Sequence, residues 1–528
     1  MENTNKNQSR ERSFENSFEK KYILPLKQIY LSDSLPIYII SIGIFIRLYQ
    51  YLCNKSLWLD EAALSLNIIN RSFSGLMEQL DYNQYAPLGF LFIEKSITIL
   101  LGTSEYSLRL FPLISGMLSI PLFLMVAKRI LKKEAVPIAL TLFILPWSLI
   151  YYSVEVKQYA SDIMITLLLY LVLLYADKRD FDTKGSALFA IFGGVAIWFS
   201  HPLVFVMAGV GTTLLFISIS KRDWKRLYTL VPIFSIWLLC FAINYFSFIN
   251  IESGLDKEWI FNYWSEHFAP FPITSMPDLK WYFEHLLMIF KSKLLMGMSP
   301  VSGIWLIIYL CGLISLFVRD KKIFFFLITP LIVTLMASAL ELYPFYDRLI
   351  LFLLPLVILT ISEGVFKLIS WSNNRSSTLS ILMVLIIGVL ILVPIFNNGN
   401  YFLKPIVREE IKPVLAYIGN HREPGDVLYI HYGAIYQYIY YADRYDLESM
   451  PATADRLRRR NPYVYSFEIN EIMGQKRVWV LFSHIYNEEK IDEMNDEYLN
   501  RLDRAGRRID SFYSTASSVF LYDLGGGE

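Results

Sequence analysis

The chain reads as an α-helical polytopic membrane protein of about eleven spans, carrying a soluble α/β domain at its C-terminal end. Three observations predict that class. Of the 528 residues, 54% are hydrophobic and 16% aromatic, and a mean hydropathy of +0.39 is high for a water-soluble protein of this size. Apolar runs of roughly 17–25 residues recur as far as residue 396. From about Lys404 hydrophobicity drops and charge rises abruptly. The formal net charge of +1 gives no electrostatic reason to expect nucleic acid as a partner. Cys53, Cys240 and Cys311 lie in or beside apolar runs, so they read as small hydrophobes with neither disulfide nor metal-ligand spacing.

In chain order, residues 1–34 form a polar segment of mixed charge without a cleavable signal pattern, because the first apolar run outlasts a signal core. A membrane unit over residues 35–400 follows. Its spans are predicted near 36–53, 109–127, 135–152, 160–176, 186–201, 203–219, 229–249, 302–318, 323–341, 349–369 and 379–396. The runs flanking Tyr152–Tyr159 and His201-Pro202 are so close that each pair must be a tight hairpin. The clusters Lys128/Arg129/Lys132/Lys133, Lys178/Arg179/Lys184, Lys221/Arg222/Lys225/Arg226, Arg319/Lys321/Lys322 and Lys367/Arg375 fall between alternate spans. Arg10, Arg12, Lys20, Lys21 and Lys27 fall on the same side. The positive-inside rule makes that side cytoplasmic, and an odd span count then puts the C-terminal domain outside the cytoplasmic membrane.

Three outer segments are long. Residues 54–108 hold two stretches of helical period, about Ala62–Leu80 and Pro87–Leu101. The second carries Glu94 and Lys95 near its middle and is read as an interfacial amphipathic helix, because a crossing there would invert the charge pattern of every later loop. Residues 250–301 are rich in Trp, Tyr, Phe and Pro, as suits an interfacial loop. Residues 404–528 form the soluble domain. Pro424-Gly425-Asp426 turns into the strand pattern Val427–His431, which Val478–Phe482 and Ser518–Tyr522 repeat, with helical stretches near 433–442 and 488–505. Arg456-Leu457-Arg458-Arg459-Arg460 reads either as a solvated face or as a contact for anionic lipid or substrate.

Polar residues at the outer ends of the spans are the candidates for chemistry. Arg47 lies toward the outer end of the first run; Asp60 and Glu61 follow, then Gln84. Tyr151–Tyr159, with Glu155, Lys157 and Tyr159, fills the second outer turn, His201 the third, and Tyr346-Asp347-Arg348 the fifth. Ionisable groups cost a few kcal/mol beside hydrocarbon, so their collection on one face favours a shared polar cavity. Each also has a plainer explanation: Arg47 snorkelling to headgroups, Glu155 with Lys157 and Asp347 with Arg348 as local ion pairs, and His201 satisfying a helix terminus.

Three segments carry a resemblance. Trp58-Leu59-Asp60-Glu61-Ala62, then Gln84-x-Ala86-Pro87-Leu88, then Gly102-x-Ser104-Glu105-x-x-x-Arg109-Leu110 closely resemble the opening of GT-C glycosyltransferases. The branch in question includes protein O-mannosyltransferases and the aminoarabinose transferase of lipid A. Tyr152-Ser153-x-Glu155-x-Lys157-x-Tyr159 looks like that family's second outer-turn motif, and Tyr346-Asp347-Arg348 before an apolar helix with Pro355 resembles its later arginine-containing span. The likeness spans residues 35–370.

The resemblance implies a GT-C fold and inverting transfer of a sugar from a polyprenyl-phosphate donor to an envelope acceptor (lipid, polysaccharide or protein) at the outer face. Asp60 is then the candidate base, and Glu61 a supporting acid or a ligand-positioning group. Lys157, Arg348 and Arg47 are the candidates for the donor phosphate. Glu155, Tyr159, His201, Gln84 and Tyr346 would position substrate. No cofactor is obligatory; a divalent metal stays open, although Asp60, Glu61, Glu155 and His201 lack the spacing of a metal motif. A secondary transporter or flippase of lipid-linked substrates would instead bury its charges near the midplane within repeated halves, and a non-catalytic assembly protein would not need Asp60, Glu61, Lys157 and Arg348 together.

Overall fold

The computed structural model describes residue 30 and residues 32–249, 263–291, 299–398, 404–454, 456–457, 465–466, 471–485 and 498–526. Arg10 to Lys27, loop residues 250–262 and 292–298, Arg458 to Arg460 and the first part of the stretch 488–505 lie outside the described residues.

Within hydrocarbon a segment must pair its own backbone polar groups, so the apolar runs become helices. In order these are α1 (Leu35–Leu52), α4 (Leu110–Ile130), α5 (Val136–Ile144), α6 (Trp147–Tyr151), α7 (Tyr159–Lys178), α8 (Thr183–Ala196), α9 (Leu203–Ser220) and α10 (Trp224–Asn244). After α11 (Met276–Met288) come α12 (Ser299–Arg319), α13 (Lys321–Ala339), α14 (Leu354–Asn373) and α15 (Ser377–Asn398). Among the described residues, eight helices are long and apolar enough to cross a membrane. The bent pair Lys133–Ile144 and Trp147–Val154 makes a ninth. It turns by 65° at Leu145-Pro146, where proline removes a backbone donor. The two remaining predicted spans are α8 and α15, both shorter apolar helices over their described residues. The chain is a multi-pass membrane protein.

Where helices touch most closely, small residues permit it. A Cβ on Gly312 of α12 would lie 2.0 Å from the Thr360 carbonyl of α14, and one on Gly364 would lie 2.1 Å from the Ile308 carbonyl. The contact is reciprocal, which is how helices approach in lipid without a hydrophobic force between them. Asp177 at the end of α7 pairs with Arg226 at the start of α10 at 2.8 Å and with Lys322 at the start of α13 at 2.6 Å. Three of the basic loops therefore share one end of the bundle, and Asp60, Lys157 and Arg348 lie at the other.

Between the bundle and the C-terminal domain sits the segment 54–108. Its helices are α2 (Leu59–Asn70) and α3 (Leu88–Leu101). Helix α2 stops ten residues short of the expected Leu80. The Asn67 side-chain amide donates to Ala63 and Asp81 carbonyls and its oxygen accepts from Asp81 N–H, folding the chain back, while Arg71 Nη1 grips the Gly75 and Gln79 carbonyls. Helix α3 buries Phe90, Leu91, Glu94 and Thr98 on one face.

The C-terminal domain is a five-stranded sheet in the order β2-β1-β5-β7-β6. Its strands are β1 (Val427–Ile430), β2 (Ala452–Ala454), β5 (Val478–Ser483), β6 (Arg507–Ser514) and β7 (Ser517–Asp523), with β3 (Arg456–Leu457) and β4 (Tyr465–Ser466) paired separately. β1 is parallel to β2 and β5, whereas β7 is antiparallel to β5 and β6. The three strands expected from sequence are present. The two edge strands, β2 and β6, were not expected; β6 opens with Arg507-Arg508-Ile509-Asp510, which reads as polar. Helices α16 (Lys412–His421) and α17 (Ile435–Tyr441) complete the layer. Leu57, Ala62, Leu66, Phe90 and Leu108 share one hydrophobic cluster with Ile411, Leu415, Trp479 and Leu521. The loop segment and the soluble domain thus have a common core.

Candidate active site

Asp60 and Glu61 are neighbours at the first turn of α2, but 100° apart around a helix, and they meet different surroundings. Glu61 is fully buried. Arg109 Nε donates to its Oε1 at 2.9 Å and Arg109 Nη2 to its Oε2 at 2.7 Å, while Val156 N–H and Trp58 N–H add bonds at 2.9 and 3.3 Å. Arg109 spends its remaining donors on the Lys55 and Ser56 carbonyls. Glu61, expected as a supporting acid or a ligand-positioning group, thus clasps three chain segments, and each of its oxygens already accepts two hydrogen bonds.

Asp60 is one-quarter exposed and accepts from Arg348 Nη2 at 3.0 Å. Burial alone would raise its carboxyl, but Lys157, Arg348, Arg408 and His484 outweigh that and hold it below the ordinary range. Arg348 pairs with this carboxylate across the molecule and not through a local pair with Asp347. Lys157 is buried and donates to Gln84 Oε1 at 2.6 Å; Gln84 in turn donates to the Tyr82 carbonyl. Gln84 thus orients Lys157. Burial, helped by Arg348, lowers the Lys157 ammonium despite Asp60, Glu155 and Glu61 nearby. Tyr159 packs edge-on against Tyr152 at 4.9 Å, and its electrostatic neighbours are Arg348, Asp60 and Glu155.

Behind this exposed group lies a buried one. Both Glu155 oxygens, Lys55 Nζ, Tyr151 OH and Trp58 Nε1 lack hydrogen-bond partners among the described residues. Lys55 Nζ stands 3.9 Å over the Tyr151 ring. Burial raises the Glu155 carboxyl to about 7, with Lys55 opposing, and lowers the Lys55 ammonium to about 8, with Glu155 and Glu61 opposing. Glu155 and Lys157 make no ion pair with each other.

Three predicted residues stand apart. Arg47 does not snorkel; it is buried in the bundle, donating to the Gly43 and Leu149 carbonyls at 3.0 and 3.4 Å beside a cavity of about 10 Å³ that Tyr152 also lines. It forms no ion pair with the cluster among the described residues, so its expected contact with a phosphate at this site is not supported. His201 occupies the turn between α8 and α9, its imidazole lowered to about 4 by burial, and its side chain makes no hydrogen bond among the described residues. Tyr346 stacks on His267 of the interfacial segment at 3.7 Å, two residues from Arg348.

Sequence reasoning missed the contribution of the C-terminal domain. Arg408 lies 4.0 Å over the Trp58 ring, with Arg348 5.5 Å from the same ring. Glu409 Oε2 accepts from Leu59 N–H at 3.0 Å and from Gln437 Nε2 at 2.9 Å, and its Oε1 lies 2.7 Å from His484 Nδ1. His484 follows β5 with φ +64°, an uncommon conformation for a residue with a Cβ. No motif marks these residues; the only hint in the sequence is the charged run Arg408-Glu409-Glu410 near the start of the tail. Among the described residues, no three His, Cys, Asp or Glu side chains converge as a metal site would require.

No protein-family model and no curated protein sequence matches the chain. Among solved structures it is similar to ArnT from Cupriavidus metallidurans bound to undecaprenyl phosphate, at 13% identity over 93% of this chain and 98% of that one, with a TM-score of 0.42. It is also similar to the Archaeoglobus fulgidus oligosaccharyltransferase in complex with Zn and sulfate, at 12% identity over 84% of this chain and 67% of that one, TM-score 0.49. The Archaeoglobus fulgidus oligosaccharyltransferase AglB with an inhibitory peptide and a dolichol-phosphate gives 11% identity over 95% and 74%, TM-score 0.47. ArnT and AglB are GT-C glycosyltransferases.

Proposed function

We propose that this protein transfers a sugar from a polyprenyl-phosphate donor to an envelope acceptor at the outer face of the cytoplasmic membrane, inverting the anomeric centre. One observation carries the proposal: a partly exposed carboxylate at a helix start is surrounded by cations at one end of a membrane bundle. The carboxylate suits removal of a proton, and the cations suit a phosphate that becomes more negative as it departs.

In this reading Asp60 accepts the proton of the acceptor hydroxyl while that oxygen bonds to the anomeric carbon. The bond from that carbon to the phosphate oxygen breaks, and its electron pair stays on the phosphate. A carboxylate held low by Arg348 and Lys157 is a weak base, so proton transfer follows the new C–O bond, which acidifies the hydroxyl. Arg348 and Lys157 stabilise the departing phosphate, Arg348 through paired donors and Lys157 as a point charge. Gln84 sets the Lys157 ammonium, and Tyr159 lines the approach. Glu61 acts indirectly, by fixing the turn on which Asp60 stands. The isoprenoid tail is the reason for a membrane location. No step is assigned to a divalent metal.

The test is release of undecaprenyl phosphate by the purified full-length protein from a panel of labelled undecaprenyl-phosphate sugars. Asp60→Asn preserves shape and removes the basic oxygen, so turnover should fall by about 10²-fold or more with binding of undecaprenyl phosphate retained. Turnover within twofold of wild type, an order-of-magnitude allowance, rejects Asp60 as the base.

A further inference from the structure

We infer that Arg408, from the C-terminal domain, is a second guanidinium for the donor phosphate, so that the reacting site is completed only by the soluble domain. This role rests on the polyprenyl-phosphate donor proposed above.

Arg408 and Arg348 come from opposite parts of the chain, yet both lie over the indole of Trp58, at 4.0 and 5.5 Å. Trp58 stands two residues before Asp60, and Arg408 is among the cations that depress the Asp60 carboxyl. The placement is built from both sides of Arg408. Ile406 N–H donates to Gln50 Oε1 at 2.8 Å, and Gln50 Nε2 donates to the Lys404 carbonyl at 3.1 Å. Glu409 holds Leu59 N–H, Glu410 accepts from Ser56 N–H at 3.0 Å and from its hydroxyl, and Lys412 N–H donates to Ser56 Oγ at 3.2 Å. Residues 404–412 are thus stitched along 50–59, with Arg408 at the centre of the seam and half-buried. Glu409 and Glu410, which flank it in sequence, bond Leu59, Gln437, His484 and Ser56 and so fix the seam.

Charge favours the same conclusion. Among the described residues, Lys55, Lys157, Arg109, Arg348 and Arg408 gather around Asp60, Glu61 and Glu155. A phosphodiester donor carries one negative charge and the departing phosphomonoester close to two, so the cation excess fits the leaving group. Guanidiniums are suited to this position because they stack on an indole and still present paired donors to phosphate oxygens.

The experiment measures binding of undecaprenyl phosphate, and of undecaprenol as the uncharged control, to the full-length protein in detergent, with tryptophan fluorescence as the readout. Arg408→Gln should weaken undecaprenyl phosphate about tenfold or more and leave undecaprenol unchanged, with Arg408→Lys intermediate. Arg422→Gln, on the exposed face of the soluble domain where Arg422 Nη1 donates to Ser449 Oγ at 3.3 Å, should leave both ligands bound. Phosphatidylglycerol should not displace undecaprenyl phosphate; displacement would assign Arg408 to the bilayer surface and overturn the inference. Equal losses for both ligands, or unchanged phosphate binding in Arg408→Gln alongside loss in Arg348→Gln, also overturn it while the donor reading stands. If wild type prefers undecaprenyl phosphate no more than undecaprenol, the donor reading itself falls. Should Arg408→Gln not fold, Arg408→Lys decides: a several-fold loss confined to the phosphate supports the role, and wild-type affinity rejects it.

Discussion

At the residue scale, Asp60 and Glu61 show how far a motif can be read. The sequence reveals two acids among apolar neighbours, and the structure explains the setting: Leu57 and Ala62 are buried in a core shared with the soluble domain. What the dipeptide conceals is that one acid is structural. The deciding partner, Arg109, is far along the chain, and no local spacing announces a bidentate pair. Glu61→Gln should cost about 3–5 kcal/mol, because it leaves the buried Arg109 guanidinium uncompensated, whereas Asp60→Asn removes a partly exposed pair and should cost about 1 kcal/mol. Comparable melting temperatures for the two variants in one detergent would contradict this division. Glu155 gives a pH-dependent counterpart. Folding raises its carboxyl from 4.5 to about 7, so the folded chain retains a proton that the unfolded chain releases. That stabilisation is complete below 4.5 and fades as pH rises through 7. Wild type should lose on the order of a few kcal/mol between pH 5 and 8 relative to Glu155→Gln. Parallel melting curves across that range would show that Glu155 is not the titrating group.

At the scale of elements, the spans were legible because hydrocarbon imposes length and apolarity on each one separately. The break at Pro146 was not, since residues 135–152 pass as one apolar run and proline also stands inside unbroken helices at Pro121 and Pro330. The end of α2 was not, because Asn67 closes a loop onto Asp81 by side-chain bonds that periodicity does not register. Nor was the closest helix contact, since Gly312 and Gly364 are ordinary glycines in sequence and become meaningful only when opposed. A side chain on Gly312 would meet the Thr360 carbonyl at 2.0 Å, and a carbonyl held in the α14 backbone cannot yield like the tip of a flexible side chain. Gly312→Leu should therefore separate α12 from α14 and lower folded yield severely, beyond the 1–3 kcal/mol usual for overpacking. Gly388→Leu on α15, where a Cβ meets nothing within 4 Å, is the matched control. Equal yields of monodisperse protein from the two variants would refute the packing argument.

At the scale of the whole molecule, the soluble tail was legible as a domain but not as part of the site. Its strands announce themselves through Val427–Ile430 and Val478–Ser483, whereas Arg408, Glu409 and His484 carry no motif and gain meaning only from what they touch. From sequence alone, losing the tail should impair acceptor choice more than use of the donor. The interface argues for a larger effect. Glu105 pairs with Arg444 at 2.7 Å and accepts from Tyr441 OH at 3.0 Å, Tyr441 OH accepts from Leu57 N–H at 2.9 Å, and Gln437 donates to the Leu57 carbonyl at 2.8 Å. Ending the chain at residue 403 would strip partners from Ser56, Leu57 and Leu59 and expose the apolar flank of α2. Donor cleavage should then fall together with acceptor transfer, by a factor like that of Asp60→Asn, and the 54–108 segment should become protease-sensitive. A truncated protein that still cleaves donor at the wild-type rate would sink the idea of a shared core. Orientation is testable on the intact chain. The basic loops joined through Asp177 lie at the end opposite Asp60, and on the positive-inside rule we propose that the site and its domain face outward. Protease added to intact spheroplasts should remove the C-terminal domain, and full protection until lysis would put both in the cytoplasm.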